Sequence, residues 1–452
     1  MNPSIFRQYD IRGVVEQDLT SPVTIKIGRA FGSYIRRRGG KSVIVGGDNR
    51  LHTRSLCKRL IGGIRSTGCD VIELGTVPTP ALYFADIELD ADGSVQVTGS
   101  HNPAEFNGFK LSHCHASVFG ENIQELKRMI EENDFVNEAQ GKYEEKEIMS
   151  DYQDMIVGKV KLERPLKVAL DAGNATASLI APRVMRALGC EVVELYCEPD
   201  GTFPNHHPDP TVPENLVDLI ALVKETKADA GIAYDGDSDR IGVVNEKGEI
   251  LWGDQLLALY AREILAEGPA PIIFEVKCST ALIEDIRRHG GKPVMWRTGH
   301  SLIKKKMKEM NSPLAGEMSG HIFFKHQYYG FDDAIYATAR LLRIMAADKR
   351  PLSDLLSDLP RYPSTPEIRI DCPDHIKFEA VNRILDQFKQ THQVIDVDGM
   401  RVLFEDGSWG LVRASNTQPV LVLRFEAKSE ERLQAIKKEI EGKLCQIVDM
   451  LR

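Results

Sequence analysis

The segments SVIVGGDNR (residues 42–50) and GCDVIELGTVPTP (residues 68–80) each contain a short apolar, β-branched run followed by glycine, proline or small polar residues. The stretch between them has the pattern of a helix. A strand, a helix and a second strand in this order are typical of a βαβ unit. The strands are continuous apolar runs, which indicates a parallel sheet that is covered on both faces.

The same order of elements occurs twice more along the chain. KVALDAGNAT (167–176) leads to GCEVVELYCEPDG (189–201), and IIFEVKCST (272–280) leads to GKPVMWRTGHS (291–301). The sequence therefore predicts three similar α/β units.

The last part of the chain differs from these repeats. LPRYPSTPE (359–367) is rich in proline and is predicted to be a linker. After it we expect a strand, a helix around 377–389, strands near 394–404 and 419–427, and a charged C-terminal helix. We therefore predict α/β domains with mixed or parallel sheets at 1–150, 151–251 and 252–362, and an α+β domain at 363–452.

Composition excludes several classes of protein. The chain has 452 residues and a formal net charge of -9, so nucleic acid is not an expected partner. No apolar run reaches the ~20 residues of a membrane helix, and the N-terminal residues show no signal-peptide pattern. The eight cysteines form no C-x-x-C pair. We therefore expect a cytoplasmic protein that has no membrane partner, disulfide framework or zinc site.

The stretch VTGSHNPAEFNGFK (97–110) places a serine in a turn directly after a predicted strand. The Ser100 hydroxyl is a candidate nucleophile or phosphate carrier, and His101 and Lys110 would supply positive charge. The alternative is a turn serine that bonds its own backbone.

The stretch DGDSDR (235–240) follows the apolar run AGIAY. Its three aspartates alternate, so their carboxylates can converge on one hard cation such as Mg²⁺ or Ca²⁺. An EF-hand is excluded because Arg240 stands where that loop needs glycine, and because a strand precedes the loop. A solvated acidic turn is the alternative, although like charges this close repel one another without a cation.

Two further polar stretches favour carbohydrate or phosphate. GEMSGH (316–321) offers Glu317, Ser319 and His321 as donors and acceptors for sugar hydroxyls, or forms a plain turn. VRASNTQP (412–419) is predicted to be a polar loop in which Arg413 and backbone amides bind phosphate, with Arg424 on the next strand as a second guanidinium.

Lys277 and His300 each follow a strand of the third repeat. Open parallel sheets bind their ligands beyond the carboxyl ends of the strands. Both residues are therefore candidates for a binding site.

Five of these motifs together resemble the α-D-phosphohexomutase superfamily, and most of all its bacterial phosphomannomutase/phosphoglucomutase group. In the family's order, they are FRQYDIRG (6–13), TGSHNP (98–103), DGDSDR (235–240), GEMSGH (316–321) and RASNTQP (413–419). The resemblance covers essentially the whole chain. It implies three similar α/β domains and a C-terminal α+β domain around a central cleft, to which each domain contributes one motif.

The resemblance implies a reversible phosphoryl transfer between hexose 1-phosphate and hexose 6-phosphate, by way of a phosphoserine and a 1,6-bisphosphate. The implied cofactors are Mg²⁺ and an activator, either glucose 1,6-bisphosphate or mannose 1,6-bisphosphate. The implied partners are hexose phosphates, with no nucleic acid and no membrane, and the chain is expected to act as a monomer.

The resemblance also assigns roles by position. The implied catalytic residues are Ser100, His101, Lys110, Arg12, Arg240 and His300, with Lys110 and His300 as general acid and base in either order. The implied metal ligands are Ser100, Asp235, Asp237 and Asp239. The implied substrate-binding residues are Tyr9, Lys277, Glu317, Met318, Ser319, Gly320, His321, Arg413, Ala414, Ser415, Asn416, Thr417 and Arg424.

The GEMSGH stretch resembles enzymes that act on both mannose and glucose more than it resembles phosphoglucosamine mutases, which remain an alternative. An Mg²⁺-dependent sugar phosphatase and a non-catalytic sugar-phosphate sensor are further alternatives. The phosphate loop argues against the phosphatase, and the serine with its acidic loop argues against the sensor. The chain departs from many relatives at Ser238, where they have glycine, and we expect this side chain to face solvent.

Overall fold

The computed structural model describes residues 1–416 and 418–451, and these residues form two compact units. Unit 1 comprises Met1–Glu263 and Ser319–Ser357. Unit 2 comprises Ile264–Met318 and the chain from Asp358 onward. The four domain boundaries given above stay predictions.

Unit 1 begins with a mixed sheet and the helices that cover it. The strands are β1 (Ile11–Val14), β2 (Ser42–Gly47), β3 (Asp70–Thr76), β4 (Gly93–Val97), β5 (Phe106–His113), β6 (Ala116–Ser117) and β7 (Tyr143–Glu145). The helices are α1 (Ser21–Arg37), α2 (Thr53–Arg65), α3 (Thr79–Glu88) and α4 (Glu121–Glu132). The strand order is β1-β5-β4-β2-β3-β7, with β6 beside β5. β2 is parallel to β3 and β4, whereas β5 is antiparallel to β4 and β1.

The second sheet of unit 1 repeats the parallel arrangement. Its elements are α5 (Met149–Lys159), β8 (Lys167–Asp171), α6 (Ala181–Ala187), β9 (Glu191–Leu195), α7 (Val217–Thr226), β10 (Ala230–Tyr234), β11 (Ile241–Asn245), β12 (Ile250–Leu251) and α8 (Gly253–Leu265). The strand order is β12-β11-β10-β8-β9. β8 is parallel to β9 and β10, and β11 returns antiparallel to β10.

Unit 2 contains the third parallel arrangement. It is formed by β13 (Pro271–Glu275), α9 (Thr280–Arg288), β14 (Lys292–Trp296), α10 (His300–Met310) and β15 (Leu314–Gly316). β13 is parallel to both β14 and β15. The chain then returns to unit 1 with β16 (Ile322–Phe324), α11 (Ala334–Ala347) and α12 (Leu352–Leu355).

The C-terminal part of unit 2 is an antiparallel sheet with two helices. Its elements are β17 (Ile368–Asp371), α13 (Asp374–Lys389), β18 (Gln393–Ile395), β19 (Met400–Leu403), β20 (Trp409–Ala414), β21 (Val420–Glu426) and α14 (Glu430–Leu451). The strand order is β17-β21-β20-β19-β18. The predicted α+β character is confirmed. The prediction that Arg413 and Ala414 lie in a loop is wrong, because both belong to β20, a buried strand between β19 and β21.

The three predicted repeats are confirmed as parallel strand pairs joined by a helix. In each repeat the helix is followed by a glycine in the left-handed region: Gly68 at φ +83°, Gly189 at +94° and Gly290 at +80°. A residue without a Cβ adopts this conformation at no steric cost, which ends the helix and turns the chain into the next strand. Because the two strands of each repeat are parallel, the loops that follow them lie at the same edge of the sheet.

Candidate active site

Ser100 lies in the loop between β4 and β5, at the carboxyl end of β4. It is 2% exposed, and its φ of +48° is in the left-handed region. Its Oγ donates to Oδ2 of Asp235 at 2.9 Å and lies 3.1 Å from Nδ1 of His101. The hydroxyl therefore bonds a carboxylate of the DGDSDR stretch (235–240), here called the acidic loop, rather than the backbone of its own turn.

The acidic loop follows β10 and brings three carboxylates together. Asp235, Asp237 and Asp239 are fully buried, and one oxygen of each lies within 4.8 Å of the others. Oδ1 of Asp237 and Oδ1 of Asp239 make no hydrogen bond with any residue that the structure describes. Burial, together with the charges of Asp239 and Asp237, raises the pKa of Asp235 well above its usual value.

This arrangement fits a divalent cation. Buried acceptors without donors and carboxylates that repel one another are both stabilised when a cation binds between them. Oxygen donors of this kind suit Mg²⁺. Asp235, Asp237 and Asp239, with the oxygen of Ser100, are the residues that would hold the ion.

Lys110 on β5 is the positive charge nearest to the acidic loop. Its Nζ donates to Oδ2 of Asp237 at 2.5 Å and to Oδ2 of Asp239 at 2.6 Å. Burial alone would lower the pKa of Lys110, but the two carboxylates raise it well above its usual value. The same ammonium lowers the pKa of Asp237, against the effect of burial. Lys110 is therefore protonated where it lies.

The guanidinium groups of Arg12 and Arg240 and the imidazole of His101 lie near the loop that carries Ser100 (residues 99–106), here called the serine loop. Arg12 on β1 donates to Asn102 in the serine loop at 2.7 Å and to Asp10 at 2.6 Å. Burial, followed by the charges of Arg240 and Arg12, lowers the pKa of His101 well below its usual value. His101 is therefore neutral near pH 7, so the expectation that it supplies positive charge is wrong. It offers a ring nitrogen beside the Ser100 hydroxyl instead.

Arg240, at the end of the acidic loop, bonds His321. Nε of Arg240 donates to Nε2 of His321 at 3.0 Å. Nδ1 of His321 lies 3.0 Å from Oδ2 of Asp332 and 3.5 Å from Oδ1 of Asp239. The structure thus places His321 with the acidic loop of unit 1, and its predicted contact with a sugar hydroxyl stays a prediction.

Gly320 allows the chain before His321 to pass close to β11. Its φ is +91°, and a Cβ at this position would overlap the carbonyl oxygen of Ile241. The Ile241 amide donates to the Gly320 carbonyl at 3.1 Å. Ser319 is half-buried, and Tyr9 is buried next to Asp10.

The expectation for Ser238 is wrong. Its side chain does not face solvent but is fully buried, and its hydroxyl lies 2.9 Å from the hydroxyl of Thr176. The Thr176 hydroxyl in turn donates to the Gly236 carbonyl at 3.0 Å. The residue adopts a φ of +65°, in the left-handed region. Ser238 therefore connects the acidic loop to the loop after β8.

In unit 2, Glu275 joins the ends of all three parallel strands. It is fully buried at the end of β13. Its carboxylate accepts from the Lys277 amide at 2.9 Å, the Thr298 hydroxyl at 2.9 Å and the Met318 amide at 3.2 Å. These donors follow β13, β14 and β15, so one side chain fixes three strand-end loops.

The predicted residues of these loops are Lys277, His300, Glu317 and Met318, and all four lie in unit 2. Nζ of Lys277 donates to Oε2 of Glu367 at 2.9 Å. Glu317 is buried and accepts from the Gly299 amide at 3.0 Å. His300 is the first residue of α10.

Arg413 lies near the end of β20 and is held by Asp398. Its Nε donates to Oδ2 of Asp398 at 2.9 Å, and the same oxygen accepts from the Thr298 amide at 3.0 Å. Ser415 directly follows β20, and its hydroxyl accepts from the Gln418 amide at 3.1 Å. Asn416 follows Ser415, whereas Thr417 lies outside the described residues.

Arg424 on β21 contacts protein atoms on several sides. Its Nη1 donates to the Lys277 carbonyl and contacts the Met318 sulfur. Its guanidinium also lies 5.8 Å from the ring centre of Trp409. Its predicted role as a second phosphate-binding group stays a prediction.

Sequence analysis did not identify Glu275, Asp332 or Asp398. One signal existed for Glu275, which ends the apolar run IIFE as Asp235 follows AGIAY. Asp332 and Asp398 are ordinary loop carboxylates in the sequence, and only the fold brings them to His321 and Arg413.

Among the described residues, no helix is long and apolar enough to cross a lipid bilayer.

Four family models match successive parts of the chain. The phosphoglucomutase/phosphomannomutase alpha/beta/alpha domains I, II and III match residues 3–137, 150–248 and 252–362. The C-terminal domain of the same family matches residues 367–443.

Individual relatives agree with these models over nearly the full length. A phosphomannomutase/phosphoglucomutase of Pseudomonas putida is 50% identical over 98% of this chain and 96% of its own. A phosphoglucomutase of Neisseria meningitidis is 45% identical over 97% of this chain and 96% of its own. A phosphoglucomutase/phosphomannomutase family protein from Burkholderia thailandensis, known from a crystal structure, is 46% identical in sequence. The two structures match with a TM-score of 0.93 over 98% of this chain and 97% of that chain. The chain therefore belongs to the phosphoglucomutase/phosphomannomutase family.

Proposed function

We propose that the chain interconverts the 1-phosphates and 6-phosphates of mannose and glucose. The observation that carries this proposal is the 2.9 Å hydrogen bond from Ser100 to Asp235, within a group of three buried carboxylates. A hydroxyl in this environment suits phosphoryl transfer, because a cation on the carboxylates offsets the charge of the phosphate. The names of the relatives support the same reaction.

The proposed reaction has two transfers through Ser100. In the first, the bond between phosphorus and the phosphoserine oxygen breaks, a bond to a sugar hydroxyl oxygen forms, that hydroxyl loses its proton and the Ser100 oxygen takes one up. The sugar is then a 1,6-bisphosphate. In the second, its other phosphoryl group returns to Ser100, whose hydroxyl loses its proton, and the sugar oxygen that is released takes up a proton. Covalent catalysis thus divides one exchange into two steps.

The residues of unit 1 have distinct proposed parts in these steps. Asp235, Asp237 and Asp239 hold Mg²⁺, and the ion supplies neutralisation of charge on the transferring group. Arg12 and Arg240 offer guanidinium groups to the same charge. His101 positions the phosphoserine through its ring nitrogen.

We assign the proton transfers to Lys110 and His300. The carboxylates beside Lys110 keep it protonated, which suits donation to the sugar oxygen that leaves. His300 is assigned the opposite role. A neutral imidazole is the usual base near pH 7.

The remaining predicted residues are assigned to substrate binding. Glu317, Ser319 and His321 bind sugar hydroxyls, and Tyr9 and Lys277 also contact the substrate. Arg413, Ser415 and Asn416 bind the phosphate that does not react, with Arg424 nearby. Contacts to O3 and O4 do not distinguish mannose from glucose, because these sugars differ only at C2.

The proposal includes an activator and a state of assembly. Glucose 1,6-bisphosphate or mannose 1,6-bisphosphate restores the phosphoserine whenever it is lost to water. All the assigned residues belong to one chain, so we propose that the monomer is active. Sedimentation of the active enzyme tests this part.

Phosphorus NMR of the protein with mannose 1-phosphate, Mg²⁺ and a trace of glucose 1,6-bisphosphate tests the proposal. We expect a mannose 6-phosphate signal that grows to a plateau, and no growth with Ser100→Ala. Growth of inorganic phosphate in its place would identify a phosphatase. Turnover of glucose 1-phosphate alone would keep the mechanism and overturn the dual substrate range.

A further inference from the structure

Residues 99–105 of the serine loop belong to no strand or helix, and Phe106 is the first residue of β5, so the carbonyl groups of this stretch need partners from elsewhere. In the part of the chain that the structure describes, three of these carbonyl groups accept from backbone amides outside the regular strand pairing: that of Gly99 from the Asn102 amide at 2.9 Å, that of Pro103 from the Phe106 amide at 3.0 Å and that of Glu105 from the Val15 amide at 3.0 Å. The other carbonyl groups depend on side chains.

One side chain, that of Arg50, supplies most of these partners. Its Nη2 donates to the Ser100 and Asn102 carbonyls at 2.7 and 2.6 Å. Its Nη1 donates to the Pro103 and Phe106 carbonyls at 2.6 and 3.1 Å. Arg50 is 2% exposed, and Asp48 fixes it by accepting from its Nε at 3.1 Å.

Two histidines complete the set. His52 accepts from the Asn107 side chain through Nδ1, so its Nε2 carries the proton and donates to the Ala104 carbonyl at 3.0 Å. His207, in the loop before α7, donates through Nε2 to the His101 carbonyl. Every carbonyl from Gly99 to Phe106 therefore has a donor.

We infer that Arg50 is a positioning residue for phosphoryl transfer, assisted by His52 and His207. This inference rests on the proposed function, in which Ser100 carries the phosphoryl group. Backbone carbonyl oxygens repel a phosphate dianion, and the guanidinium of Arg50 turns those of Ser100, Asn102, Pro103 and Phe106 toward itself. The same contacts fix the left-handed backbone of Ser100, which sets the direction of its hydroxyl.

The geometry of arginine is essential to this role. A planar guanidinium presents its N–H groups in a fixed fork, whereas a lysine ammonium is a point charge on a flexible chain. The substitution Arg50→Lys would keep the charge, but the ammonium could not bond the four carbonyls in this arrangement. A displacement of a reacting group by about 1 Å costs about 100-fold in rate.

The test compares Arg50→Lys with Arg340→Lys. Arg340 is a matched control: it is also buried in unit 1 and uses its fork on Glu263 and the His326 carbonyl, but it has no assigned part in the reaction. The measurements are kcat and KM for glucose 1-phosphate, the thermal midpoint, and the phosphorus resonance of phosphorylated Ser100.

We expect R50K to lower kcat about 100-fold without a matching rise in KM, and to shift and broaden the phosphoserine resonance. R340K should lower the thermal midpoint but leave kcat and the resonance unchanged below that midpoint. Wild-type kcat and resonance in R50K would overturn the inference. The inference would also be overturned if both variants lost activity only in proportion to the fraction of each that is unfolded.

A second variant covers the case in which R50K does not fold. His207 is a half-buried loop residue, and His207→Ala removes the donor to the His101 carbonyl. This variant should change kcat and the resonance in the same direction as R50K does, but by less. No change in H207A would then contradict the inference. If wild-type protein gives no phosphoserine resonance during turnover, the proposed function fails instead, so the two failures are distinguishable.

Discussion

Nζ of Lys110 lies 2.5 Å from Oδ2 of Asp237 and donates a hydrogen bond to it. The pair joins β5 to the acidic loop after β10, and both side chains are buried. Lys110 therefore compensates part of the negative charge that three neighbouring carboxylates place in the interior. A divalent cation would perform the same task more strongly, so the site has two ways of balancing its charge.

Lys110→Met should destabilise the protein most when Mg²⁺ is absent. Removing one partner of a buried ion pair costs about 3–5 kcal/mol, because it leaves a charge without compensation. Urea unfolding with and without Mg²⁺ measures this loss, which should shrink when Mg²⁺ is added. Lys247→Met is the control, since Lys247 pairs with Asp354 on the surface and should cost about 1 kcal/mol or less. Equal losses with and without Mg²⁺ would contradict the account.

Asp235→Asn should separate metal binding from stability. The substitution removes one of three charges that repel one another, so the free energy of unfolding without Mg²⁺ should not fall. The stabilisation that Mg²⁺ gives to the wild-type protein should be largely lost, together with activity. Thermal unfolding over a series of Mg²⁺ concentrations measures both effects. A variant that Mg²⁺ stabilises as much as the wild type would remove Asp235 from the set of ligands.

Asp333 makes the stability of unit 1 depend on pH. Burial raises its pKa to about 6 from the usual 3.8, although Tyr328 and Tyr152 donate to its carboxylate. Between these two values the folded state binds more protons than the unfolded state, so stability falls as pH rises from about 4 to about 6. The difference corresponds to about 3 kcal/mol at most.

Asp333→Asn should remove this dependence. Relative to the wild type, its free energy of unfolding should rise with pH through that window, as measured by urea unfolding at several pH values. Tyr152→Phe removes one donor to the carboxylate and should extend the window to higher pH. A constant difference between D333N and the wild type would show that Asp333 does not titrate in this range.

Glu275→Gln should loosen the strand-end loops of unit 2. The amide group that replaces one carboxylate oxygen would face an N–H or O–H donor, and such a buried mismatch costs about 1–3 kcal/mol. We expect a lower urea midpoint and a raised KM for glucose 1-phosphate, because the backbone amide of Lys277 or that of Met318 loses its side-chain acceptor. Glu284→Gln, which changes a half-buried carboxylate bonded to Tyr362, is the control and should change neither value strongly. An unchanged KM in E275Q would contradict this role.

The sequence predicts much of the fold because its signals are local. Apolar runs ending in glycine or polar residues locate the parallel strands, and the glycines Gly68, Gly189 and Gly290 mark where the intervening helices end. The same signals place Ser100 and the three aspartates in loops at strand ends. They do not predict β20, because this buried strand continues into the polar RASNTQP stretch and no turn signal marks where it ends.

The partners of the site residues are harder to predict because they are distant in the sequence. Arg50 bonds carbonyls that lie 50 to 56 residues away, and nothing in GGDNRLH indicates a partner for it. Ser238 and Thr176 are ordinary polar residues until β8 and β10 pair and bring their loops together. The sequence therefore indicates which side chains are reactive, whereas tertiary packing determines what holds them.

The proposed reaction depends on Ser100 as the carrier of the phosphoryl group. Peptide mass spectrometry tests this dependence on the enzyme treated with glucose 1,6-bisphosphate, and again after that enzyme has received an excess of mannose 1-phosphate that carries a labelled phosphate. We predict phosphate on the peptide that contains Ser100 after the first step, its exchange with labelled substrate phosphate in the second, and no activity in Ser100→Ala. A fully active enzyme in which Ser100 never carries phosphate would contradict this role. An S100A variant that turns over at the wild-type rate would contradict it as well.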